Sequence, residues 1–154
     1  MQTNKHQIKL IGRREFVDFP LLSIFGIEAK IDTGAYTSSL HCENITLNND
    51  TVKPTLYFTI KQDVVRTFMF EEFTQKKIKN SFGEMEERFV IKTIVRIGKK
   101  KIWSAISLSK RDNMRYPVLL GRKLLKGKFL VDVNQIHTEG IHLSTAFNQL
   151  TNTK

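Results

Sequence analysis

The chain has 154 residues, of which 40% are hydrophobic and 26% are charged, and its formal net charge is +10. This composition predicts one soluble domain over residues 1–154, with its core at about 8–145. Every apolar run is much shorter than the roughly 20 residues that span a bilayer. One cysteine, Cys42, excludes an internal disulfide. Since the N-terminus also lacks the apolar stretch of a signal peptide, we expect a cytoplasmic protein.

Short strands dominate the predicted elements. In chain order they cover residues 8–11, 26–32, 38–42, 55–60, 64–70, 88–97, 102–108, 118–120, 129–133 and 136–143. The strand at 88–97 alternates with a period of two, and 55–60 and 64–70 pair as a hairpin about Gln62 and Asp63. A helical turn over 122–126 is closed by Gly127. This pattern predicts an all-β fold, a small closed barrel with one short helix.

The most informative segment is the predicted strand that ends in Asp32-Thr33-Gly34. A carboxylate on a tight turn has the fixed position that a catalytic acid needs. Gly34 is able to adopt a positive φ there, and the Thr33 hydroxyl is able to bond the neighbouring backbone. Such turns are also common in β proteins without catalysis, so the tripeptide alone is a weak signal.

A second segment strengthens the interpretation. Residues 117–125 read Pro-Val-Leu-Leu-Gly-Arg-Lys-Leu-Leu, an apolar strand, a glycine and a helical piece. Together with Asp32-Thr33-Gly34-Ala35, this segment resembles the retropepsin-like aspartic peptidases. The stretches at 12–15, 31–41, 111–114 and 127–132 resemble one bacterial branch of that family, known as ATP-dependent zinc proteases and associated with glutamate-ligating ATP-grasp enzymes. The resemblance covers about residues 11–133.

The resemblance implies an acid-protease barrel whose catalytic residues are Asp32, Thr33 and Gly34. An aspartic peptidase needs two carboxylates that share a proton, and this chain carries one such motif. The resemblance therefore implies a homodimer in which Asp32 of each copy contributes to the site and Thr33 holds the backbone of the mate. The associated ligases suggest a substrate rich in glutamate, such as a poly-glutamate tail, which a basic chain would attract.

The same resemblance implies four substrate-binding residues. Ala35 adjoins the catalytic turn, and Gly83 suits the tip of a mobile hairpin over the site, near residues 80–84. Asp112 and Asn113 lie in a loop that would line the substrate groove. An ordinary hairpin loop around Gly83 and a surface turn at Asp112 and Asn113 are equally compatible with the sequence.

One position departs from the retroviral pattern. Retroviral relatives carry a second acid four residues after the catalytic one, and it pairs with the arginine that follows the later glycine. Tyr36 occupies that position here. Gly121 and Arg122 are still expected to support the site, but Arg122 needs another partner, for which Asp18, Asp112 and Asp132 are the candidates.

The histidines do not predict a zinc site. His6, His41, His137 and His142 lack the His-Glu-x-x-His spacing of zinc proteases. His137 and His142 would face opposite sides of a predicted strand. Asp32, His41 and Cys42 would gather around a metal only if the turn folded back, and His41 is better explained as a polar strand end and Cys42 as a small buried hydrophobe. There is no phosphate-binding loop, so any ATP dependence belongs to a partner. We predict no metal and no cofactor.

Two further functions stay open beside the aspartic peptidase. A non-catalytic module would use its basic surface to bind an acidic protein or RNA, although no nucleic-acid recognition motif is found and nucleic acid is the less favoured partner. A metallohydrolase would use Asp32 with His41. Replacing Asp32 by Asn, and adding a chelator, distinguishes the three.

Overall fold

A computed structural model describes residues 7–50, 52–62, 64–79, 82–110, 115–139 and 141–142. Its strands are β1 (Lys9–Gly12), β2 (Arg14–Phe19), β3 (Ile24–Ile31), β4 (Ser38–His41), β5 (Glu43–Asn48), β6 (Thr55–Lys61), β7 (Val65–Phe70), β8 (Thr74–Lys79), β9 (Met85–Ile97), β10 (Lys100–Ser109), β11 (Val118–Leu120), β12 (Phe129–Asp132) and β13 (Ile141–His142). The α-helix α1 (Arg122–Leu125) lies between β11 and β12. Within the described ranges, no helix has the length and apolar character needed to cross a membrane.

Six strands form a closed barrel. Their order is β10–β4–β11–β3–β2–β9, and β9 pairs back onto β10 to close the ring. Strand β8 extends the ring as a hairpin with β9. Two further sheets have three strands each, in the orders β12–β1–β13 and β5–β6–β7. Closure removes the exposed sheet edges of these six strands, which is how small β folds satisfy their backbone hydrogen bonds.

The barrel core follows from the alternation along its strands. In β9, Ile91, Thr93, Val95 and Ile97 are buried, while the residues between them are more exposed. Leu40, Ile106 and Leu120 are also fully buried and join the same apolar cluster. Each strand therefore places one set of alternate residues in the core and the other set on the outer face.

Strand β11 is the element that positions the candidate site. It lies between β3 and β4, parallel to β3 and antiparallel to β4. Its register places Leu120 beside Ile31, the residue before Asp32. The segments that contain Thr33 and Arg122 therefore meet at one end of the barrel, although these residues are 89 apart in sequence.

The predicted all-β class, closed barrel and short helix are confirmed. The hairpin of β6 and β7 is also confirmed, although Asp63 at its turn lies outside the described residues. The predicted strand over 136–143 is wrong over residues 136–139 and confirmed at Ile141–His142. Residues 136–139 are irregular, His137 and Glu139 have positive φ, and Ile141–His142 pairs with β1. His137 is therefore not in a strand with His142, because its backbone bonds to β2 instead.

Candidate active site

The Asp32 turn is held by its own backbone. The Asp32 N–H donates to the Leu120 carbonyl at 2.9 Å, which extends the pairing of β3 and β11 by one residue. Asp32 Oδ1 accepts the Gly34 N–H at 3.0 Å, and the Asp32 carbonyl accepts the Ala35 N–H at 3.2 Å. Within the described part of the chain, Asp32 Oδ2 has no hydrogen-bond partner. The carboxylate is thus fixed through one oxygen and open at the other.

Gly34 and Thr33 act differently from the sequence expectation. Gly34 does not adopt a positive φ. A Cβ added there would lie 3.3 Å from Asp32 Oδ1, so a side chain at this position would push the carboxylate by a few tenths of an ångström. The Thr33 hydroxyl makes no hydrogen bond among the described residues, and Thr33 is exposed. The turn is therefore stabilised by Asp32 and the backbone, while the threonine hydroxyl is available for another contact.

Gly121 supports the turn from behind. A Cβ at Gly121 would lie 2.5 Å from the Thr37 carbonyl oxygen and 2.8 Å from that of Tyr36, distances that real side chains do not reach. The Gly121 N–H donates to Ser38 Oγ at 2.9 Å in a buried contact. The next two N–H groups, of Arg122 and Lys123, donate to the Ala35 and Tyr36 carbonyls at 2.8 Å and 3.0 Å. The start of α1 therefore fixes the chain that follows the turn.

Arg122 binds the turn directly. Its Nη1 donates to the Thr33 carbonyl at 3.0 Å, and its guanidinium lies 5.8 Å from the centre of the Tyr36 ring. Of the partners expected from the sequence, Asp18 pairs with Arg96, and Asp132 accepts bonds from its own turn. Those two expectations are wrong because both carboxylates are already engaged, and Asp112 lies outside the described residues.

The peptide that Arg122 contacts is the one that contacts the carboxylate. The Thr33 carbonyl and the Gly34 N–H belong to one planar peptide group. Arg122 therefore holds one end of this group while the other end donates to Asp32 Oδ1. A charged donor on the carbonyl polarises the peptide and strengthens its N–H as a donor.

The other predicted substrate residues are placed as follows. Ala35 is half-buried within the turn, between the Asp32 carbonyl and the Arg122 N–H. Gly83 lies in the loop of the β8–β9 hairpin with a φ of 82°, a conformation that favours glycine. Asp112 and Asn113 lie outside the described residues, as do Asn80 and Ser81 of the same hairpin loop.

The candidate metal ligands do not gather. Among the described residues there is no group of three or more His, Cys, Asp or Glu side chains that could hold a metal ion. Cys42 is buried, and burial raises the pKa of its thiol to about 12. Because thiolate is the form that binds metal, a buried neutral thiol is a poor ligand at neutral pH.

An apolar groove adjoins the turn. Its volume is about 810 Å³, and its lining combines apolar and aromatic residues with three basic ones: Thr33, Tyr36, Leu125, Phe129, Leu130, Val131, Arg122, Lys123 and Lys126. Leu130 is 48% exposed and Tyr36 is 58% exposed. The exposed Thr33 and this groove form one continuous face at the end of the barrel that carries Asp32.

Sequence reasoning missed a second carboxyl group, that of Glu15 on β2. Its side chain is fully buried and accepts hydrogen bonds from the N–H groups of Gly12, Thr138 and Glu139 and from the Thr138 hydroxyl. An acid at an inward strand position is the signal that could have identified it. Glu15 fixes the irregular segment 135–139 against the barrel.

Comparisons with known proteins agree with this architecture. The model of the RimB-like family, described as "Retropepsin-like aspartic endopeptidase RimB", matches residues 10–140. A "Probable alpha-L-glutamate ligase" of Shewanella halifaxensis is 32% identical over 131 residues, which are 82% of this chain and 29% of the ligase. One from Desulfotalea psychrophila is 36% identical over 131 residues, 80% of this chain and 28% of that protein. The chain spans less than a third of the length of these curated relatives.

A solved structure supports the fold independently. A Legionella pneumophila protein of unknown function superposes with a TM-score of 0.70 and 28% sequence identity. The match covers 85% of this chain and 98% of that protein. The barrel described above therefore also occurs as nearly the whole of another chain.

Proposed function

Because the chain belongs to the RimB-like family of retropepsin-like aspartic endopeptidases, we propose that it hydrolyses peptide bonds, with Asp32 as the catalytic carboxylate. The observation that carries the proposal is the hydrogen bonding of the Asp32 carboxylate. Its Oδ1 accepts one backbone N–H, and its Oδ2 is unbonded within the described residues. A carboxylate oriented through one oxygen keeps the other for a water molecule.

The second carboxylate comes from a second copy of the chain. Two carboxylates a few ångströms apart do not both ionise easily, so the pair shares a proton. The charged member activates a water, the protonated member polarises the scissile carbonyl, and the two titrate as a unit. The exposed Thr33 and the apolar side chains of the adjoining groove, among them the exposed Leu130, support a contact between copies at this end of the barrel.

The substrate of this proposal is a glutamate-rich polypeptide. The net charge of +10 favours an acidic chain, since long-range attraction raises the rate of encounter with a polyanion. The relatives named as alpha-L-glutamate ligases contain a segment similar to this chain, and each relative is more than three times as long as that segment. We therefore include in the proposal a functional link between this chain and an alpha-L-glutamate ligase.

Hydrolysis of an oligo-glutamate-tailed peptide tests the proposal. Mass spectrometry would follow cleavage by the wild type, by Asp32→Asn and by Asp50→Asn, in which an exposed turn aspartate away from the candidate site is changed in the same way. We expect Asp32→Asn to lower kcat/KM by roughly 10³-fold, because it removes acid–base catalysis. Asp50→Asn should match the wild type, and a chelator should have no effect.

Three outcomes would contradict the proposal. Loss of cleavage on chelation would favour the metallohydrolase, and unchanged cleavage by Asp32→Asn would exclude the aspartic mechanism. Full activity in a sample that sedimentation shows to be monomeric would exclude the shared dyad. Equal turnover of acidic and neutral peptides at low and high salt would exclude the acidic substrate.

A specific observation favours a second candidate, a basic binding module. A cavity of about 270 Å³ is lined by Lys101, Trp103, Lys123 and Lys128, and Trp103 is 61% exposed. An exposed aromatic ring among lysines suits an acidic protein or a nucleic acid. Binding of such a partner by a wild-type protein that cleaves no peptide would favour this function.

A further inference from the structure

Strand β10 has a neighbour on both sides along only part of its length. It pairs with β9 from Lys100 to Leu108, whereas β4, on its other side, pairs only from Ile106 to Ser109. Barrel closure therefore covers the second half of β10. Among the described residues, no strand pairs with that other side over residues 100–105, so the first half of β10 is a free sheet edge.

The backbone groups of alternate residues face this free edge. The Ser109 carbonyl accepts the Cys42 N–H at 3.1 Å, so the main-chain groups of Ser109 point toward the side on which β4 lies. Main-chain groups of successive strand residues point to opposite neighbours, and β10 pairs with β9 without a register shift. The N–H and C=O of Lys101 and Trp103 therefore point to the same side as those of Ser109. Within the described part of the chain, no strand or loop forms a backbone hydrogen bond with them there.

A cavity of about 270 Å³ adjoins this edge, and it is the one described for the basic binding module. Residues 101–105 of β10 line it, and so do Lys123 and Leu124 of α1 and Lys128. The free backbone groups of β10 thus adjoin an open space between the strand and the helix. An extended peptide placed there would continue the sheet beyond the point where β4 begins.

The cavity carries positive charge. Lys101, Lys123 and Lys128 line it, none of them forms an ion pair with a described residue, and none of its described lining residues is acidic. Burial lowers the pKa of the adjacent Lys100, and the nearby Lys128 and Lys9 add to this effect. Lysines commonly protect a free sheet edge from pairing with other chains. An acidic strand is the kind that these lysines attract rather than repel.

Trp103 marks the same edge as a contact surface. Its side chain is 61% exposed and lies in the lining of the cavity. Tryptophan is enriched in protein interfaces because a large ring contributes much contact area. A strand added beside β10 would place side chains of one face about 5 Å from this ring, as directly paired residues are.

We propose that the free edge of β10 binds an acidic segment of a partner protein as an added β-strand. The N–H and C=O groups of Lys101 and Trp103 exchange hydrogen bonds with the main chain of the segment, and the lysines attract its carboxylates. A peptide is favoured over nucleic acid because main-chain donors and acceptors at strand spacing match another strand. The inference rests on the basic binding module considered above, whose partner and binding mode it specifies, and it does not require hydrolysis.

Trp103 fluorescence tests the inference directly, since this is the one tryptophan of the chain. An unlabelled hexapeptide of alternating Glu and Thr would be titrated onto full-length Asp32→Asn, which prevents cleavage. The matched ligand carries methyl groups on the amide nitrogens of its two central residues and has the same charge. Successive N–H groups face opposite edges of a strand, so this peptide lacks a central donor whichever edge meets β10. We expect its apparent Kd to be about tenfold higher.

Two substitutions at position 103 separate the ring from the N–H group. Trp103→Ala keeps the N–H at the free edge, and Trp103→Pro removes it, which an unpaired strand edge tolerates. With a fluorescein-labelled hexapeptide followed by anisotropy, we expect Trp103→Pro to bind about fivefold more weakly than Trp103→Ala. Thermal melts would check that both variants fold, and the methylated peptide decides the question on the unchanged edge if Trp103→Pro does not.

A pair of lysine variants tests the charge. Lys101→Met should weaken binding of the labelled hexapeptide about threefold at low salt and less at high salt. Lys76→Met removes the same charge from the exposed face of β8. Lys76 pairs with Arg88, which is six residues along β9 from the partner of Trp103, or about 20 Å. This control should bind as tightly as the unchanged protein.

The outcomes separate strand addition from the functions proposed above. Equal binding of the two peptides, with a loss in Lys101→Met, would retain the basic binding module and overturn strand addition. Saturation by the labelled peptide without a change in Trp103 fluorescence would overturn the assigned edge, as would tighter binding of oligo-deoxythymidine there. Methylation-sensitive binding at Trp103, with a wild type that cleaves nothing, would support the inference and remove the peptidase.

Discussion

Two carboxyl groups, that of Glu15 on β2 and that of Asp32 just after the neighbouring strand β3, have opposite surroundings. Glu15 is fully buried, and its oxygens accept bonds from three N–H groups and one hydroxyl. Asp32 is partly exposed, and its carboxylate accepts one N–H. A saturated carboxyl group has no capacity for a ligand or a water, whereas an open one does.

This comparison separates a structural acid from a candidate catalytic one. The bonds to Glu15 come from Gly12 and from Thr138 and Glu139, so the side chain ties two distant parts of the chain together. The bonds around Asp32 are local and orient a single side chain. Removing Glu15 should therefore affect stability, and removing Asp32 should affect activity.

The largest expected effect is that of Glu15→Ala on folding. The substitution leaves the N–H groups of Gly12, Thr138 and Glu139 without their acceptor, at about 1–3 kcal/mol for each group that stays unsatisfied. The Thr138 hydroxyl keeps the Leu10 carbonyl oxygen at 3.3 Å as an acceptor. We expect the free energy of unfolding to fall by at least about 3 kcal/mol, measured by urea denaturation. Asp32→Ala is the matched control, and it should cost less than about 1 kcal/mol because its single bond lies on an exposed turn.

Equal losses for the two alanine variants would show that the comparison is wrong. Glu15→Gln refines the test, because it keeps one acceptor oxygen but directs an amide toward an N–H donor. Its cost should lie between those of Glu15→Ala and the wild type.

The next largest effect concerns Gly121, which packs against the chain that follows the Asp32 turn. Gly121→Ala would place a Cβ 2.5 Å from the Thr37 carbonyl oxygen, so the chain after the Asp32 turn must shift. Such overpacking costs about 1–3 kcal/mol, and a displaced turn should lower peptide hydrolysis as well. Gly127→Ala meets no atom within 4 Å but has a φ of 75°, so it should cost about 1 kcal/mol and leave hydrolysis unchanged.

Thermal melts and peptide kinetics on both glycine variants would measure this difference. Hydrolysis lost equally in Gly121→Ala and Gly127→Ala would show that the turn responds to global stability and not to its own packing. Unchanged hydrolysis in Gly121→Ala would show that the Asp32 position tolerates the shift.

The barrel was predictable where alternation is regular, and less so where a polar residue is buried. Strands β9 and β10 alternate between core and surface along most of their length, and both were predicted. Strand β2 was not, because the acid Glu15 occupies an inward position beside Val17 and Phe19, while the apolar Phe16 lies on the outer face. Glu15 is buried there only because Thr138 and Glu139, more than 120 residues away in sequence, bond to it. No local pattern contains that information.

The candidate site was likewise predictable in part. Asp32 and Gly121 carry motif signals, and the structure brings their segments together through β3 and β11. The partner of Arg122 was not predictable, since it is a backbone carbonyl, which any residue type provides.

The smallest expected effect tests the single side chain that braces the open carboxylate. Arg122→Met removes the bond to the Thr33 carbonyl, and the Gly34 N–H of the same peptide then donates more weakly to Asp32 Oδ1. We expect kcat/KM to fall about tenfold with a change in unfolding free energy below about 1 kcal/mol. Arg122→Lys should recover part of the rate, because it restores a charged donor. An equal fall in rate for Arg122→Lys and Arg122→Met would reduce Arg122 to a packing role.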